Sequence, residues 1–383
     1  NTFYLSADSR VFERGLRQIG TQQLRNGLTY GLAPTKAHEC ILPDYTLTWV
    51  VTFRDLWWQT GDLTLFKQMK GRVHLAFSYF EEMSRGNGLL PYDKRYWLFL
   101  DWTSLFKEGY STVYNLQYLM ALRAAVDLFR LIGDVESSAK YRRQAAKLQA
   151  TIERKLFDAK TGTIYGGITY RQKIVKQHSP HAYSLAILLD LFPGHTGTFF
   201  SKQILPFVRG PVPIGNVAYE SYNGRRKPPL AASPFFMYYV LEALKHGGYT
   251  TDAVSVCERW WGNMVERGLT TTEEIWNAKA SLASLCHAWS AHPIVHLSNC
   301  VLGVWQTREA WKQVRFSPDF ASVESVEGAV ATPYGAIRVK WEHERKGTIA
   351  VSLKAPKQVQ VVVDIKGTKK QKASGSYRAR IRY

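Results

Sequence analysis

Carboxylates set beside tryptophans recur along this chain. They occur in LPDYTLTW (Asp44, Trp49), in FLDW (Asp101, Trp102) and in GLTTTEEIWNA, where Glu273 and Glu274 precede Trp276; His287 follows in SLCHAW. An acid next to an indole suits a sugar site, because the ring covers the apolar C–H face of a pyranose while the carboxylate accepts hydroxyl hydrogen bonds or moves protons. Each residue also has a plainer use. A tryptophan on an amphipathic helix is most often core, and Asp101 can cap a helix beginning near Thr103. His287, read as lying on an apolar helix face, can be a hydrogen-bonded core residue. Glu273 and Glu274 can be first-turn acids favoured by a helix dipole. No G-x-x-x-x-G-K-S/T loop, G-x-S-x-G elbow or H-E-x-x-H helix is present, so the commonest nucleotide, esterase and metalloprotease readings fall away.

The elements that must position these residues change character once. Up to about residue 305 the apolar pattern is helical, with spacings of three and four in AFSYFEEM, VYNLQYLMALRAAVDLFRLIG, SAKYRRQAAKLQATIERKLF and FFMYYVLEALKHGG. Helices meet at Gly-Asp turns: WWQTGD with Gly61 and Asp62, IGDVESS with Gly133 and Asp134, and HGGYTTDAV with Gly247, Gly248 and Asp252. Repeated helix–turn–helix of this kind is the trace of stacked αα-hairpins, roughly ten helices in all. After Trp311 the period becomes two in AIRVKWEHE, TIAVSLKA, QVQVVVDI and SYRARIRY, which predicts a small antiparallel β-domain. The boundary is expected in VWQTREAW, without a flexible linker, giving domains at 1–305 and 306–383 that pack together. Within GLTTTEEIWNA three β-branched threonines disfavour helix, so an extended loop is expected, with Glu274 and Trp276 on one face and Glu273 and Ile275 on the other.

Composition bounds the class. The 383 residues are 45% hydrophobic and rich in aromatics, enough for a large core in two domains. No stretch approaches the roughly 20 apolar residues of a membrane span. Four scattered cysteines, Cys40, Cys257, Cys286 and Cys300, show no metal-ligand spacing and are expected to be reduced. Together with the lack of a visible leader they lean towards the cytoplasm. The net charge of +19 raises nucleic-acid binding, yet only 15 Lys/Arg against 7 Asp/Glu fall after Arg308, and the densest cluster, KGTKKQK, reads as a strand turn. A solvated basic surface is the expected reading, with no nucleic acid, membrane, cofactor or metal as partner.

Taken in order, GLTTTEEIW, SLCHAWSAHP and WKQVRFSP followed by a β-domain resemble the family-78 glycoside hydrolases, the bacterial α-L-rhamnosidases. More loosely, LPDYTLTWV, WWQTGD and FLDW extend the resemblance over nearly the whole chain. The resemblance implies a mainly α fold, an (α/α)6 six-hairpin barrel followed by a small antiparallel β-sandwich, and inverting hydrolysis of terminal α-L-rhamnose. Carried over, the general base falls on Glu274, while Glu273 stands where the family usually has Trp. His287 would contact the sugar or brace the base, and Trp49, Asp101, Trp102 and Trp276 would line the rhamnose pocket. The family's general acid lies in a D-C-P-x-x-E segment followed by W-x-G-D. Here DSRVFER holds Asp8 and Glu13 at that spacing but lacks Cys-Pro and W-x-G-D, and both acids are expected on the solvent face of one amphipathic helix. The chain is therefore expected to begin after the acid, to lack the barrel's first helices and, without that acid, to bind rhamnose weakly and hydrolyse ordinary rhamnosides poorly or not at all. Another helical-barrel glycosidase, fucosidase- or glucoamylase-like, and a non-catalytic basic binding protein are the alternative readings.

Overall fold

Gly-Asp punctuation builds two of the three expected turns as the spacing predicts; at the third, Gly248 turns the chain at φ 80° but Asp252 pairs with Arg209 and caps no helix. The structure, a computed structural model, describes residues 2–213, 230–277, 283–345 and 347–382. Its helices are α1 (Thr2–Ser6), α2 (Arg10–Thr21), α3 (Pro43–Thr60), α4 (Thr64–Ser84), α5 (Thr112–Leu131), α6 (Val135–Lys155), α7 (Pro180–Leu188), α8 (Met237–His246) and α9 (Pro293–Cys300). Two helical runs at 196–209 and 250–266 each contain a π turn. Gly61 ends α3 in the left-handed region at φ 76°, its N–H donating to the Trp57 carbonyl at 2.7 Å. Asp62 then accepts the Thr64 N–H at 2.7 Å to open α4. Asp134 does the same for α6 by accepting the Ser137 N–H at 3.0 Å.

Helices α3, α5, α7, α8 and α9 succeed one another around the barrel interior. Their burial follows from composition: α5 buries residues on every side, and α7 (PHAYSLAIL) buries all but its last residue. Helices α2, α4 and α6 cover them from outside, with one apolar stripe each. The N-terminal segment differs from the single amphipathic helix expected. Ala7 takes a left-handed φ of 55°, and the Asp8 carboxylate accepts the Arg10 N–H at 2.9 Å, so local bonding breaks the run into α1 and α2. Phe3 and Leu16 are buried, but Val11 is exposed.

The C-terminal strands are β1 (Val304–Gln306), β2 (Gln313–Phe316), β3 (Ser325–Thr332), β4 (Gly335–Glu344), β5 (Thr348–Lys354), β6 (Gln360–Val363), β7 (Gln371–Ser374) and β8 (Ser376–Arg382). They form two four-stranded sheets, ordered β8-β5-β4-β3 and β7-β6-β2-β1. Alternation sets the register: Ile337, Val339 and Trp341 on β4 are buried while Arg338, Lys340 and Glu342 face out, with Trp341 opposite Val351. One pairing departs from the antiparallel expectation, since β6 lies parallel to β2. KGTKKQK spans the connection from β6 into β7, as a solvated turn should. The strands pack on the helices through Trp311, which is fully buried, donates from Nε1 to Gln59 Oε1 at 2.8 Å and meets Tyr4 edge-on.

A cavity of about 1480 Å³ opens where α1, α3, α8, α9 and the β strands meet; Asp55, Tyr238, Glu242 and Lys245 are among its lining. Glu274, Trp102 and His287 do not line it.

Candidate active site

Three segments converge at the N-terminal ends of the inner helices. The first is the loop 97–107, whose backbone is held from several directions. Asp44, buried in the first turn of α3, accepts the N–H groups of Phe99 and Leu100 at 3.2 and 2.8 Å. Burial pushes its carboxyl pKa up, partly offset by those bonds. Lys107 Nζ donates to the Phe99 carbonyl at 2.6 Å, and burial lowers its pKa against the pull of Asp44 and Asp101. Gln177 accepts from the Phe106 N–H and donates to the Ser104 carbonyl. This bracing holds Leu100 in a left-handed conformation at φ 57°, and Trp102 follows it two residues on.

The second and third segments, 268–277 and 283–290, are tied to each other by the threonines. The hydroxyls of Thr271 and Thr272 donate to the carbonyls of Leu285 and His287, and the His287 N–H returns to the Thr272 carbonyl at 2.8 Å. Glu274 sits between them. Its N–H donates to the Ser284 carbonyl at 2.9 Å, Ser284 N–H donates to Oε2 at 3.0 Å, and the Trp102 indole N–H donates to Oε1 at 2.9 Å. The carboxylate is partly open to solvent, and His287 Nδ1 lies 3.8 Å from Oε2, beyond hydrogen-bond reach. Aromatic rings surround this opening: Trp97 and Phe99 contact Trp102, while Trp289 packs on Phe99, Phe235 and His287. Each Glu274 oxygen is oriented by one donor and keeps further lone-pair capacity for a water, which is the arrangement a general base needs.

Glu273 is the opposite case. It is fully buried, is ion-paired with Arg267 and accepts the Asn277 N–H at 2.7 Å.

Residues 2–203 match the family model for the six-hairpin glycosidase domain of bacterial α-L-rhamnosidases, and residues 303–380 match that for the C-terminal domain of the same enzymes. The chain belongs to the bacterial α-L-rhamnosidase family. No curated protein matches it. Among solved structures, the family-78 rhamnosidase of Bacillus sp. GL1 superimposes with a TM-score of 0.79 at 24% identity, covering 94% of this chain and 37% of that one. The Streptomyces avermitilis α-L-rhamnosidase complexed with L-rhamnose gives 0.75 at 16% identity, covering 97% and 36%. A Klebsiella oxytoca rhamnosidase with rhamnose bound gives 0.57 at 19% identity, covering 76% and 54%. These likenesses establish the fold, and the chain spans little more than a third of the first two neighbours.

Within this rhamnosidase fold the site residues expected from sequence divide. Glu274, Trp102 and His287 come together. Trp49, Asp101 and Trp276 do not reach an open surface. Trp49 is buried, donates to the Leu16 carbonyl at 3.0 Å and packs edge-on against Phe53. Trp276 is buried among Trp260 and Trp261 and donates to the Ala232 carbonyl at 2.8 Å. The Asp101 carboxylate is buried and takes four donors: Trp102 N–H, Ser233 N–H, Ser233 Oγ and His181 Nε2. A carboxylate offers about four lone-pair sites, so Asp101 has none left for a sugar. The expected face sharing of Glu274 with Trp276 also fails, because 274–277 is a bend and turn rather than a strand. His287 is not on a helix either; it has extended φ/ψ just before the 3-10 turn Ala288–Ser290. Sequence reasoning missed Trp97, Trp289, His181 and Ser233. Trp97 and Trp289 lie four and two residues from picked residues, and His181 is a histidine inside a largely apolar helix. Ser233 carries no such signal. Among the described residues no group of three or more His, Cys, Asp or Glu could hold a metal, and no helix is long and apolar enough to cross a membrane.

Proposed function

We propose that this chain hydrolyses terminal α-L-rhamnosides with inversion, Glu274 being the general base that deprotonates the attacking water. The observation that supports it is the Glu274 carboxylate itself, oriented by Trp102 and Ser284, open on one side and ringed by aromatic surface that fits a pyranose. Trp102 and His287 flank the sugar, and the barrel unit, 1–305, carries the site while 306–383 buttresses it. In an inverting pair the acid stands about 6.5–9.5 Å from the base, across the sugar, leaving room for water. No described residue is assigned that role. Asp8 is held by Arg10 and Glu13 by Ser9 around the break between α1 and α2.

The test uses a substrate whose leaving group needs no proton. A dinitrophenyl α-L-rhamnoside should be cleaved by the wild-type chain, releasing β-rhamnose first by proton NMR, and Glu274→Gln should abolish the reaction. Glu274→Gly supplied with azide should give β-rhamnosyl azide. First release of the α-anomer, or undiminished hydrolysis by Glu274→Gln, overturns the assignment.

A further inference from the structure

The buried Asp101 cluster raises the question of what a fully saturated carboxylate does one residue from Trp102. The four bonds come from three places in the fold. Its own loop contributes the Trp102 N–H at 2.8 Å, α7 contributes His181 Nε2 at 2.7 Å, and the segment before α8 contributes both the N–H and hydroxyl of Ser233. The Asp101, His181 and Ser233 side chains are all buried, and His181 packs against Phe236. The segment 232–234 is itself locked. Ala232 O accepts the Trp276 indole N–H, and Pro234 O accepts His292 Nε2 at 2.8 Å. Trp276 belongs to the loop that carries Glu274. One tripeptide, Ala232-Ser233-Pro234, therefore ties together the Trp102 loop, the Glu274 loop and α9.

We propose that His181 and Ser233 are positioning residues for Glu274: they clamp Asp101, Asp101 fixes the backbone of Trp102, and the Trp102 indole N–H then holds Glu274 Oε1. The deduction rests on Glu274 being the functional carboxylate proposed above, but the geometry it asserts does not depend on turnover. Neither His181 nor Ser233 touches the open side of the site; each acts through Asp101. The indole is oriented because its peptide N–H is pinned on one side and its Nε1 is engaged on the other. Loosening Asp101 frees the first of these constraints, and the 2.9 Å bond to Glu274 is the one that gives way. The charged or titratable groups facing Glu274 are His287 at 3.8 Å and Tyr45, with Asp44, Asp101 and Lys107 behind the aromatic wall.

The experiment reads the Trp102 indole directly. The full chain is labelled with 15N-tryptophan, and the Trp102 indole signal is assigned by its loss in Trp102→Phe. His181→Leu should move that signal and speed its hydrogen exchange about tenfold, the loss of one hydrogen bond of ordinary net strength. His181→Gln, whose Nε2 amide reaches the same Asp101 oxygen, should restore both. On a dinitrophenyl rhamnoside the Leu variant should lose kcat by about tenfold with KM nearly unchanged, because bracing rather than sugar contact is lost. A folded His181→Leu chain with a wild-type indole signal and exchange rate overturns the proposal. If that variant does not fold, Ser233→Ala carries the same test, and an unmoved indole signal there overturns it equally. A chain that hydrolyses no rhamnoside yet shows the indole response removes the proposed function and leaves the positioning intact.

Discussion

Exchanging the two adjacent glutamates separately should split stability from chemistry. Glu273 is buried against an Arg267 that is about one-third exposed. Breaking a buried ion pair costs about 3–5 kcal/mol and losing an exposed one about 0–1, so Glu273→Ala belongs between them at about 2–3 kcal/mol. Part of that cost is the Asn277 N–H, which loses its acceptor where Asn277 is held at φ 53°. Glu274 is partly open, and in Glu274→Gln the amide oxygen still accepts the Trp102 indole N–H. Its amide nitrogen cannot accept the Ser284 N–H, so that substitution should cost about 0.5–1.5 kcal/mol, less than Glu273→Ala. Removing a general base lowers turnover by about 100-fold or more. Urea unfolding of both variants, alongside initial rates on a dinitrophenyl rhamnoside, gives both numbers on the same material. The expected pattern is crossed: Glu273→Ala unstable but retaining most of its kcat when folded, Glu274→Gln stable but inactive. If Glu274→Gln keeps its rate while a stably folded Glu273→Ala loses it, the roles assigned to the pair are refuted.

Three further outcomes follow from burial and bonding. Trp49→Phe should destabilise by about 1–3 kcal/mol, because the indole's bond to the Leu16 carbonyl and part of its buried packing are lost, yet leave rhamnose affinity in calorimetry unchanged. Trp311→Ala should cost about 3–5 kcal/mol and lower the cooperativity of thermal unfolding, since that indole joins the helices to the strands. Burial depresses His292 to about 4 and His296 further, so both stay neutral in the fold while the unfolded chain protonates near 6.5. Their contribution is therefore fully present above about pH 6.5 and is lost as pH falls towards 4, at up to about 1.4 kcal/mol per pH unit for each histidine. Chemical unfolding at a series of pH values should show this slope, and His296→Gln should flatten it.

Much of the architecture was legible because it depends on local signals. Gly61 and Gly133 stop helices, Asp62 and Asp134 start the next ones, and the switch from helical to two-residue periodicity marks where strands begin. Each needs only a few neighbouring residues to act. The parallel β6–β2 pair was not legible, since pairing across more than forty residues leaves no mark on either strand's own pattern. Nor was the break at Ala7, where an Asx bond outweighs an amphipathic stripe that would otherwise run on.

In the site, residue type and proximity in sequence identified the class of chemistry but could not rank the acids. Asp44, Asp101, Glu273 and Glu274 all stand within a few residues of an indole. What separates them is who else donates to them. Asp101 is saturated by partners 80 and 132 residues away, Asp44 is spent on two N–H groups of a loop over fifty residues on, and Glu273 is buried against Arg267. Glu274 alone among these four combines partial exposure with oriented oxygens. The same holds for the indoles: Trp49 and Trp276 each give their N–H to a buried backbone carbonyl, while Trp102 gives its own to Glu274. Long-range donors thus decide which acid remains available, and the buried acids are what hold the available one in place.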